Sequence, residues 1–534
     1  MSIPLLITYI VAAVAALLSL TAEYRRAAMM MQQNSYRTDR YMRWLRSSGD
    51  TTSYPRLVGM LVFFGSLASF SAPLWGIFMI AVFSSGSFIV AYNKKYKKPL
   101  VVTPRVKRIL SVMAVLSLMV VVGVFVWAYF AGSGLESGLF YAVVSMLGLY
   151  CGSHVVIMTA IRLLSPVEKS INRKYYDEAA GILASMPRLQ VVGITGSYGK
   201  TSTKHYLNRI LSEHFEVLMT PGSYNTTLGV IRTVREMMKP YCEVFICEMG
   251  AKQQGDIKEI CDLVHPQIGV VTAVGPQHLE SFKSLENVQR TKFELIDSLP
   301  SVGLAVVNND FPMVASRTVD NVACVRYGVN DENVDYRATE ITYGVSGTDF
   351  VIEGEGEKRR FHTRLLGECN VSNLVAAIVV AMRMGVPEEK IHRAVERIEP
   401  VEHRLSMKRT SAGVTILDDA FNSNPSGSSM ALDVLAAMTS GKRIIVTPGM
   451  IELGEKQYEL NYEFGAKIAV SADVAIIVGE YNRDAIVGGM ESVGNAALRI
   501  MEAPTFTVAQ QMLAGIVASG DTVLYENDLP DTFK

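Results

Sequence analysis

Apolar residues crowd the first 165 or so positions of this 534-residue chain, in runs longer than soluble domains usually carry. That partition limits the possible folds more than any other feature of the sequence. A helix rises about 1.5 Å per residue and a bilayer core is about 30 Å thick, so roughly 20 apolar residues cross it. Residues 3–21 meet that length without a charge. They do not read as a cleaved leader, because no basic residue precedes the run and more apolar segments follow it. The stretch 57–92 is too long for one crossing and is interrupted at Ala72-Pro73, which predicts two short spans in a hairpin. With 109–130 and 139–161 the expectation is a helical transmembrane bundle of about five spans.

Charge tests that count, because Lys and Arg concentrate in loops on the cytoplasmic side. Arg25, Arg26, Arg37, Arg40, Arg43, Arg46 and Arg56 lie between the first and second spans, and Lys94, Lys95, Lys97, Lys98, Arg105, Lys107 and Arg108 between the third and fourth. The alternate connections, at 72–73 and 131–138, hold no Lys or Arg. Five spans therefore place the amino terminus outside and everything after Arg162 in the cytoplasm. His154 is the one ionisable residue central to a span, and it is expected to face a helix neighbour rather than form an ion pathway.

Beyond a connector at 166–186 the sequence reads as ordinary α/β protein. The chain balances 51 basic against 51 acidic residues, so no nucleic-acid partner is indicated. Its six cysteines, at 151, 242, 247, 261, 324 and 369, show neither zinc nor disulfide spacing and are expected to be free thiols. The strand-like segment Leu189-Gln-Val-Val-Gly-Ile-Thr runs into Gly196-Ser-Tyr-Gly199-Lys200-Thr201, and a helical pattern through Tyr206, Ile210 and Leu211 follows. A strand, a glycine turn and a helix start make a phosphate site: glycines admit backbone N–H groups to the phosphates and the helix dipole favours their charge. Lys200 would neutralise the β and γ phosphates of ATP and Thr201 would ligate Mg²⁺. Ile194 stands where a strict Walker motif has its first glycine, and a structural turn followed by a surface lysine is the alternative.

Further motifs accompany this loop: Thr220-Pro-Gly-Ser-Tyr-Asn225, Glu248-Met-Gly-Ala251, His278-Leu-Glu280, Lys292-Phe-Glu294, Gly367-Glu-Cys-Asn-Val-Ser-Asn373, Asp418-Asp-Ala-Phe-Asn-Ser-Asn-Pro425 and Gly449-Met-Ile-Glu-Leu-Gly454. With them the chain from about 187 to 460 resembles the Mur ligase family, most nearly its muramoyl-tripeptide:D-alanyl-D-alanine ligase branch. The resemblance implies a central P-loop ATPase domain at 187–402 and a Rossmann-like domain at 403–534, following the transmembrane domain at 1–165. It implies ATP and Mg²⁺ as cofactors. Gly196, Ser197, Gly199, Lys200, Thr201 and Ser202 would hold the phosphates. Glu248 ends the apolar strand Val244-Phe-Ile-Cys247, where parallel sheets bind ligands. Glu248 would join Thr201 on one Mg²⁺, and His278 and a carbamylated Lys292 would serve a second. Asn370 and Asn373 match positions near the nucleotide base, although either could be a helix cap. Arg404 matches an arginine that reaches the γ-phosphate from a moving domain, with an interdomain salt bridge as the alternative. Asp419 and Asn422 correspond to residues facing the nucleotide across the cleft.

The implied activity is ATP-dependent amide-bond formation through an acyl phosphate, on a peptidoglycan-type carboxylate with an amino acid or dipeptide donor, at a bacterial cytoplasmic membrane. Two segments depart from the family pattern. Five spans stand where relatives carry a domain that grips UDP, which suggests a lipid-linked acceptor. The end, Leu524-Tyr-Glu-Asn-Asp-Leu-Pro-Asp531, lacks the basic, glycine-containing loop of the branch. A membrane-bound poly-amino-acid synthetase and a non-catalytic ATP-binding scaffold are the alternatives.

Overall fold

The computed structural model describes residues 2–534 apart from 70–71, 95, 97, 132–133, 278, 345–346, 402–403, 421–422 and 528–534. His278, Asn422, Lys95 and Lys97 thus lie outside the described residues, as does the end of the carboxyl-terminal segment. The chain divides into two compact units, the second beginning at Asn172.

The first unit is helical: α1 (Ile3–Gln33), α2 (Thr38–Ser47), α3 (Tyr54–Ala68), α4 (Pro73–Asn93), α5 (Pro104–Ala131), α6 (Leu135–Cys151) and the start of α7 (Ser153–Ala184). The break between α3 and α4 falls where Ala72-Pro73 interrupts the apolar run. Proline lacks an N–H and is tolerated at a helix start rather than in its interior. The expectation of five spans is corrected. Among the described residues three helices, α1, α4 and α5, are long and apolar enough to cross a membrane. At 15 residues, α3 spans only about 22 Å. The run 139–161 is not one helix, because α6 and α7 meet at an angle of 78° around Gly152. The first apolar helix also outruns its apolar stretch, continuing through Glu23, Arg25 and Arg26 to Gln33.

His154 is not a lone histidine. Its Nδ1 lies 2.7 Å from the Tyr41 hydroxyl and its Nε2 2.9 Å from Asp50 Oδ2. Asp50 in turn pairs with Arg26 and Arg56, and Arg56 with Glu23, which also accepts from Ser153 Oγ at 2.9 Å. This buried network ties α1, α3 and α7 together. All six cysteines are free.

The second unit holds two sheets. The larger, in the order β2-β3-β1-β4-β5-β6-β7-β8-β9, comprises β1 (Gln190–Thr195), β2 (Val217–Met219), β3 (Val244–Glu248), β4 (Ile268–Val271), β5 (Leu304–Asn308), β6 (Ala323–Gly328), β7 (Tyr336–Gly344), β8 (Gly347–Gly354) and β9 (Glu357–Thr363). It is parallel from β2 to β7, and β8 and β9 continue it antiparallel. Strands β7, β8 and β9, in which β-prone and charged residues alternate, form this antiparallel edge. Strands β1, β3 and β4 are buried on both faces, which is why they read as unbroken apolar runs. The smaller sheet, β10-β11-β15-β12-β13-β14, comprises β10 (Ser406–Arg409), β11 (Thr415–Asp419), β12 (Arg443–Thr447), β13 (Val474–Val478), β14 (Arg499–Ala503) and β15 (Thr522–Glu526). All its pairings are parallel except β10 with β11.

Candidate functional site

Strand β1 delivers the chain into the turn 196–199, and helix α8 (Lys200–Leu211) begins at once. Two glycines make that turn possible. Gly199 has φ +77°, and a Cβ there would stand 2.3 Å from Asn373 Oδ1. A Cβ on Gly196 would stand 2.1 Å from Thr272 Oγ1 and 2.9 Å from the Ala273 nitrogen. Ser197 is pinned below: its N–H donates to Ala273 O at 2.7 Å and its hydroxyl to Gly275 O at 3.1 Å. Ser202 is buried in the first turn of α8.

Lys200 folds back over this turn, donating to Gly196 O at 2.7 Å. Burial brings its pKa down to about 8, opposed by Glu248 and reinforced by Arg404. Its ammonium caps loop carbonyls and pairs with no carboxylate among the described ion pairs, so an anion entering the loop would meet an available cation. Thr201 Oγ1 lies 3.1 and 3.2 Å from the two oxygens of Glu248. A hydroxyl beside a carboxylate is the hard oxygen set that Mg²⁺ takes, so these two residues fit that ion. Among the described residues no group of three His, Cys, Asp or Glu side chains is placed to hold a metal unaided.

Glu248 is surrounded by residues whose roles the motifs do not announce. Lys204 Nζ lies 2.8 Å from its Oε2 and donates to Gly222 O at 2.7 Å. Asn225 Nδ2 donates to Oε1 at 3.1 Å, and the Glu248 N–H donates to Thr220 Oγ1 at 3.1 Å. Burial pushes the carboxyl upward, but Lys204 and Lys200 prevail and hold it below its ordinary range. Lys204 was detectable in principle, because it follows Lys200 by four residues and so shares its helix face.

Lys292, on the helix Leu285–Asp297, is 2% exposed. No carboxylate lies within 4.0 Å of it among the described ion pairs. Burial first, and the Lys200 charge second, drive its pKa well below the usual lysine range. Arg404 is partly buried. Desolvation lowers its pKa while Asp419 and Glu248 favour its charge, and Lys200 feels its field. Lys200, Lys292, Arg404 and Glu248 therefore occupy one electrostatic neighbourhood around the turn.

Asn370 and Asn373 are engaged within the protein. Asn370 Oδ1 accepts from the Tyr206 hydroxyl at 2.7 Å and its Nδ2 donates to Leu366 O at 2.8 Å. Asn373 Oδ1 accepts from Thr203 Oγ1 at 3.2 Å and lies against Gly199.

Asp419 ends β11 and is the register partner of Glu526, which ends β15. Its Oδ1 accepts from the Leu405 N–H at 3.0 Å. Glu526 is fully buried, and its Oε1 accepts from Ser423 Oγ. Its Oε2 has no donor among the described residues. Burial, partly offset by Arg404, raises Asp419 to about 6, and burial together with Asp419 raises Glu526 well above the carboxylate range. No motif flags Glu526, because its pairing with Asp419 depends on strand order.

Comparison with known proteins follows these boundaries. The Mur ligase middle domain matches residues 194–381, and the Mur ligase, glutamate ligase domain matches 403–525. The UDP-N-acetylmuramoyl-tripeptide–D-alanyl-D-alanine ligase of Escherichia coli is 32% identical over 314 residues, 57% of this chain and 68% of that enzyme. The enzyme of that name from Bacillus subtilis is 29% identical over 281 residues, 52% of this chain and 60% of its own length. The chain thus spans about six-tenths of the Bacillus relative. The crystal structure of MurF ligase from Thermotoga maritima in complex with ADP superposes with a TM-score of 0.59 at 25% identity, covering 67% of this chain and 80% of that one. MurF from Acinetobacter baumannii gives 0.61 at 24% identity, covering 67% and 77%, a likeness of fold.

Proposed function

The chain belongs to the Mur ligase family, and from that premise we propose that it forms an amide bond with conversion of ATP to ADP and phosphate. The γ-phosphoryl group passes to a substrate carboxylate, the amine attacks the acyl carbon, and phosphate leaves with the C–O bond electrons. No side-chain nucleophile takes part. Catalysis comes from alignment and from cations placed where negative charge develops. The observation that carries this reading is the convergence of buried Lys292 and partly buried Lys200 and Arg404 on a glycine turn beside Thr201 and Glu248. Burying cations is costly unless an anion compensates them, and a triphosphate does so.

Thr201 and Glu248 would hold Mg²⁺, which when bound supplies charge neutralisation between phosphates. Burial and the Lys200 charge lower the Lys292 pKa, which favours the neutral amine that reacts with CO₂, and its carbamate would be an anion able to serve a second ion. Arg404 reaches the phosphate from the carboxyl-terminal domain, so closure of that domain completes the site and excludes water. Asp419 feels the charge of Arg404 at the same site.

The acceptor in this reading is a muropeptide precursor of peptidoglycan type, and the donor is D-alanyl-D-alanine or another amino compound. The apolar helices favour a lipid-linked acceptor, since confinement to one surface raises the effective concentration. Arg25 and Arg26 near the end of α1 and Arg105, Lys107 and Arg108 at the start of α5 are the groups an anionic lipid surface would attract. Those helices equally favour a second reading, a membrane-bound poly-amino-acid synthetase, which product length separates from the first: one addition against a ladder.

The test is phosphate release by the purified full chain in detergent, with ATP, Mg²⁺, UDP-N-acetylmuramoyl tripeptide or its lipid-linked form, and D-alanyl-D-alanine or a mixture of amino acids. Acceptor-dependent release is expected, with a product one amide heavier by mass spectrometry. No release above a Lys200→Ala control defeats the ligase reading.

A further inference from the structure

Helix α2 has the make-up of a segment that lies on a membrane with its apolar side inserted, carrying Tyr41, Trp44 and Leu45 on one face and arginines on the other. Its apolar side is already occupied within the protein. The Tyr41 hydroxyl lies 2.7 Å from His154 Nδ1, Trp44 meets the same imidazole edge-on with ring centroids 6.4 Å apart, and Tyr41, Trp44 and Leu45 are all buried. What α2 turns outward is charge. Arg40, Arg43 and Arg46 recur at every third position and so stand next to one another along the outer face, with Arg37 at the cap before them. Arg43 and Arg46 are exposed and Arg40 is half-buried.

Like charges at that spacing repel, and the surrounding sequence adds to the excess. From Met1 to Ile171 the chain holds sixteen Lys and Arg and five Asp and Glu. Asp50 is turned inward, to Arg26, Arg56 and His154. Asp39, the only acid of α2, is shared between Arg37 at 3.3 Å and Arg43 at 3.5 Å. The outer face of α2 is thus a positive stripe on a positively charged unit, which favours an anion beside it.

Position selects the anion. The network on which α2 leans joins Glu23 and Arg26 of α1 to Asp50 and Arg56, and the apolar run of α3 begins just after Arg56. The helix is therefore held beside the first charged residues to follow the uncharged run 3–22, at the level where α1 leaves the hydrocarbon core of a bilayer that covers the apolar belt. The headgroup layer adjoins that level. Guanidinium groups donate two parallel N–H bonds to phosphate, a geometry that lysine lacks. The apolar side chains exposed on α1, α4 and α5 fix a lipid surface next to the stripe, and nothing comparable fixes a soluble polyanion there.

We propose that the outer face of α2, through Arg40, Arg43 and Arg46, is a binding surface for the headgroups of anionic phospholipids, and that it makes the protein prefer such lipids to zwitterionic ones. The inference goes beyond the ligase reading and does not depend on it; it rests on the helical unit's standing in a bilayer. With its aromatic face held by His154, α2 contributes charge to the membrane contact and no inserted side chain.

The test titrates the full chain in a nonionic detergent with dioleoylphosphatidylglycerol and, separately, with dioleoylphosphatidylcholine, each read by native mass spectrometry. The wild type is expected to bind the anionic lipid about tenfold or more tightly than the zwitterionic one at low salt, and Arg40→Gln/Arg43→Gln/Arg46→Gln to bring the two within about twofold. Asp39→Asn removes the one acid of the stripe, so it should strengthen binding of the anionic lipid about threefold or more and leave the zwitterionic lipid unchanged. That gain is readable even if the triple variant does not fold. Equal affinity for the two lipids in the wild type overturns the inference, as does a preference that survives the triple variant or an Asp39→Asn protein that binds as the wild type does. Displacement of the anionic lipid by single-stranded DNA at equal phosphate concentration overturns it too, since the stripe would then serve a soluble polyanion. A protein that stays in membranes through alkaline carbonate and shows no lipid preference refutes this inference alone, whereas release by carbonate removes the bilayer reading and this inference with it.

Discussion

Lys200 and Lys204 occupy the same face of one helix and meet opposite fates. Lys204 is locked against Glu248 at 2.8 Å, both side chains essentially unexposed. Removing one partner of a buried ion pair strands the other charge and costs roughly 3–5 kcal/mol. Lys204→Met is therefore expected to destabilise the second unit by that amount, and Lys204→Met/Glu248→Gln to recover much of it, as measured by denaturant unfolding of the four proteins in a double-mutant cycle. Additive losses would show that the pair carries no coupling. Lys200 has loop carbonyls and no anion, and its proton leaves near pH 8. At pH 9 it is mostly neutral in the free protein. Phosphates favour its charged form, so ATP binding at pH 9 should take up close to one proton. Titration calorimetry in buffers of different ionisation enthalpy reads that uptake directly, and it should vanish in Lys200→Arg, whose side chain is already charged.

At the scale of elements, the phosphate turn was legible because three local signals coincide: an apolar strand, glycines at fixed positions and a helical period. Its strain is equally local. A methyl at Gly196 would meet Thr272 Oγ1 at 2.1 Å and the Ala273 backbone nitrogen at 2.9 Å. The side chain can rotate away and the backbone cannot. Gly196→Ala is thus expected to weaken ATP binding at least about a hundredfold by moving N–H groups away from the phosphates, a loss that equilibrium binding of a fluorescent ATP analogue would detect. Gly199→Ala is opposed both by the Asn373 side chain and by its φ of +77°, so Asn373→Ala should relieve only the first part of the loss. Alternation of β-prone and charged residues made β7, β8 and β9 readable in the same local way. The helical unit was not, because hydropathy counts residues and ignores bends. Nothing apolar distinguishes 139–151 from 153–161, and the 78° change of direction sits at Gly152. Glu23 and Arg56 were invisible as a pair for the same reason that Asp419 and Glu526 were. Their contact depends on which elements lie side by side, and sequence spacing does not encode that.

On the whole molecule, the helical unit raises a solvation problem that its own packing does not solve. Its internal core is substantial, yet Leu61, Phe64, Trp75, Trp127 and Phe130 are each more than three-fifths exposed, and further large apolar side chains of α1, α4 and α5 join them. At about 25 cal/mol per Å² of apolar surface, leaving such a belt in water costs tens of kcal/mol, more than the net stability of an ordinary domain. A bilayer covers that belt in our reading. The charges inside the unit, Glu23, Arg26, Asp50 and Arg56, compensate one another rather than meeting lipid, and His154 hydrogen-bonds to Asp50. The expected behaviour of the full chain is that of an integral membrane protein. After cell breakage it sediments with membranes, stays there through 1 M salt and alkaline carbonate washes, which strip proteins held by charge, and enters solution only with detergent. Release by salt alone would mean that the basic residues flanking the helices make the attachment, and that the apolar belt is covered by protein instead of lipid.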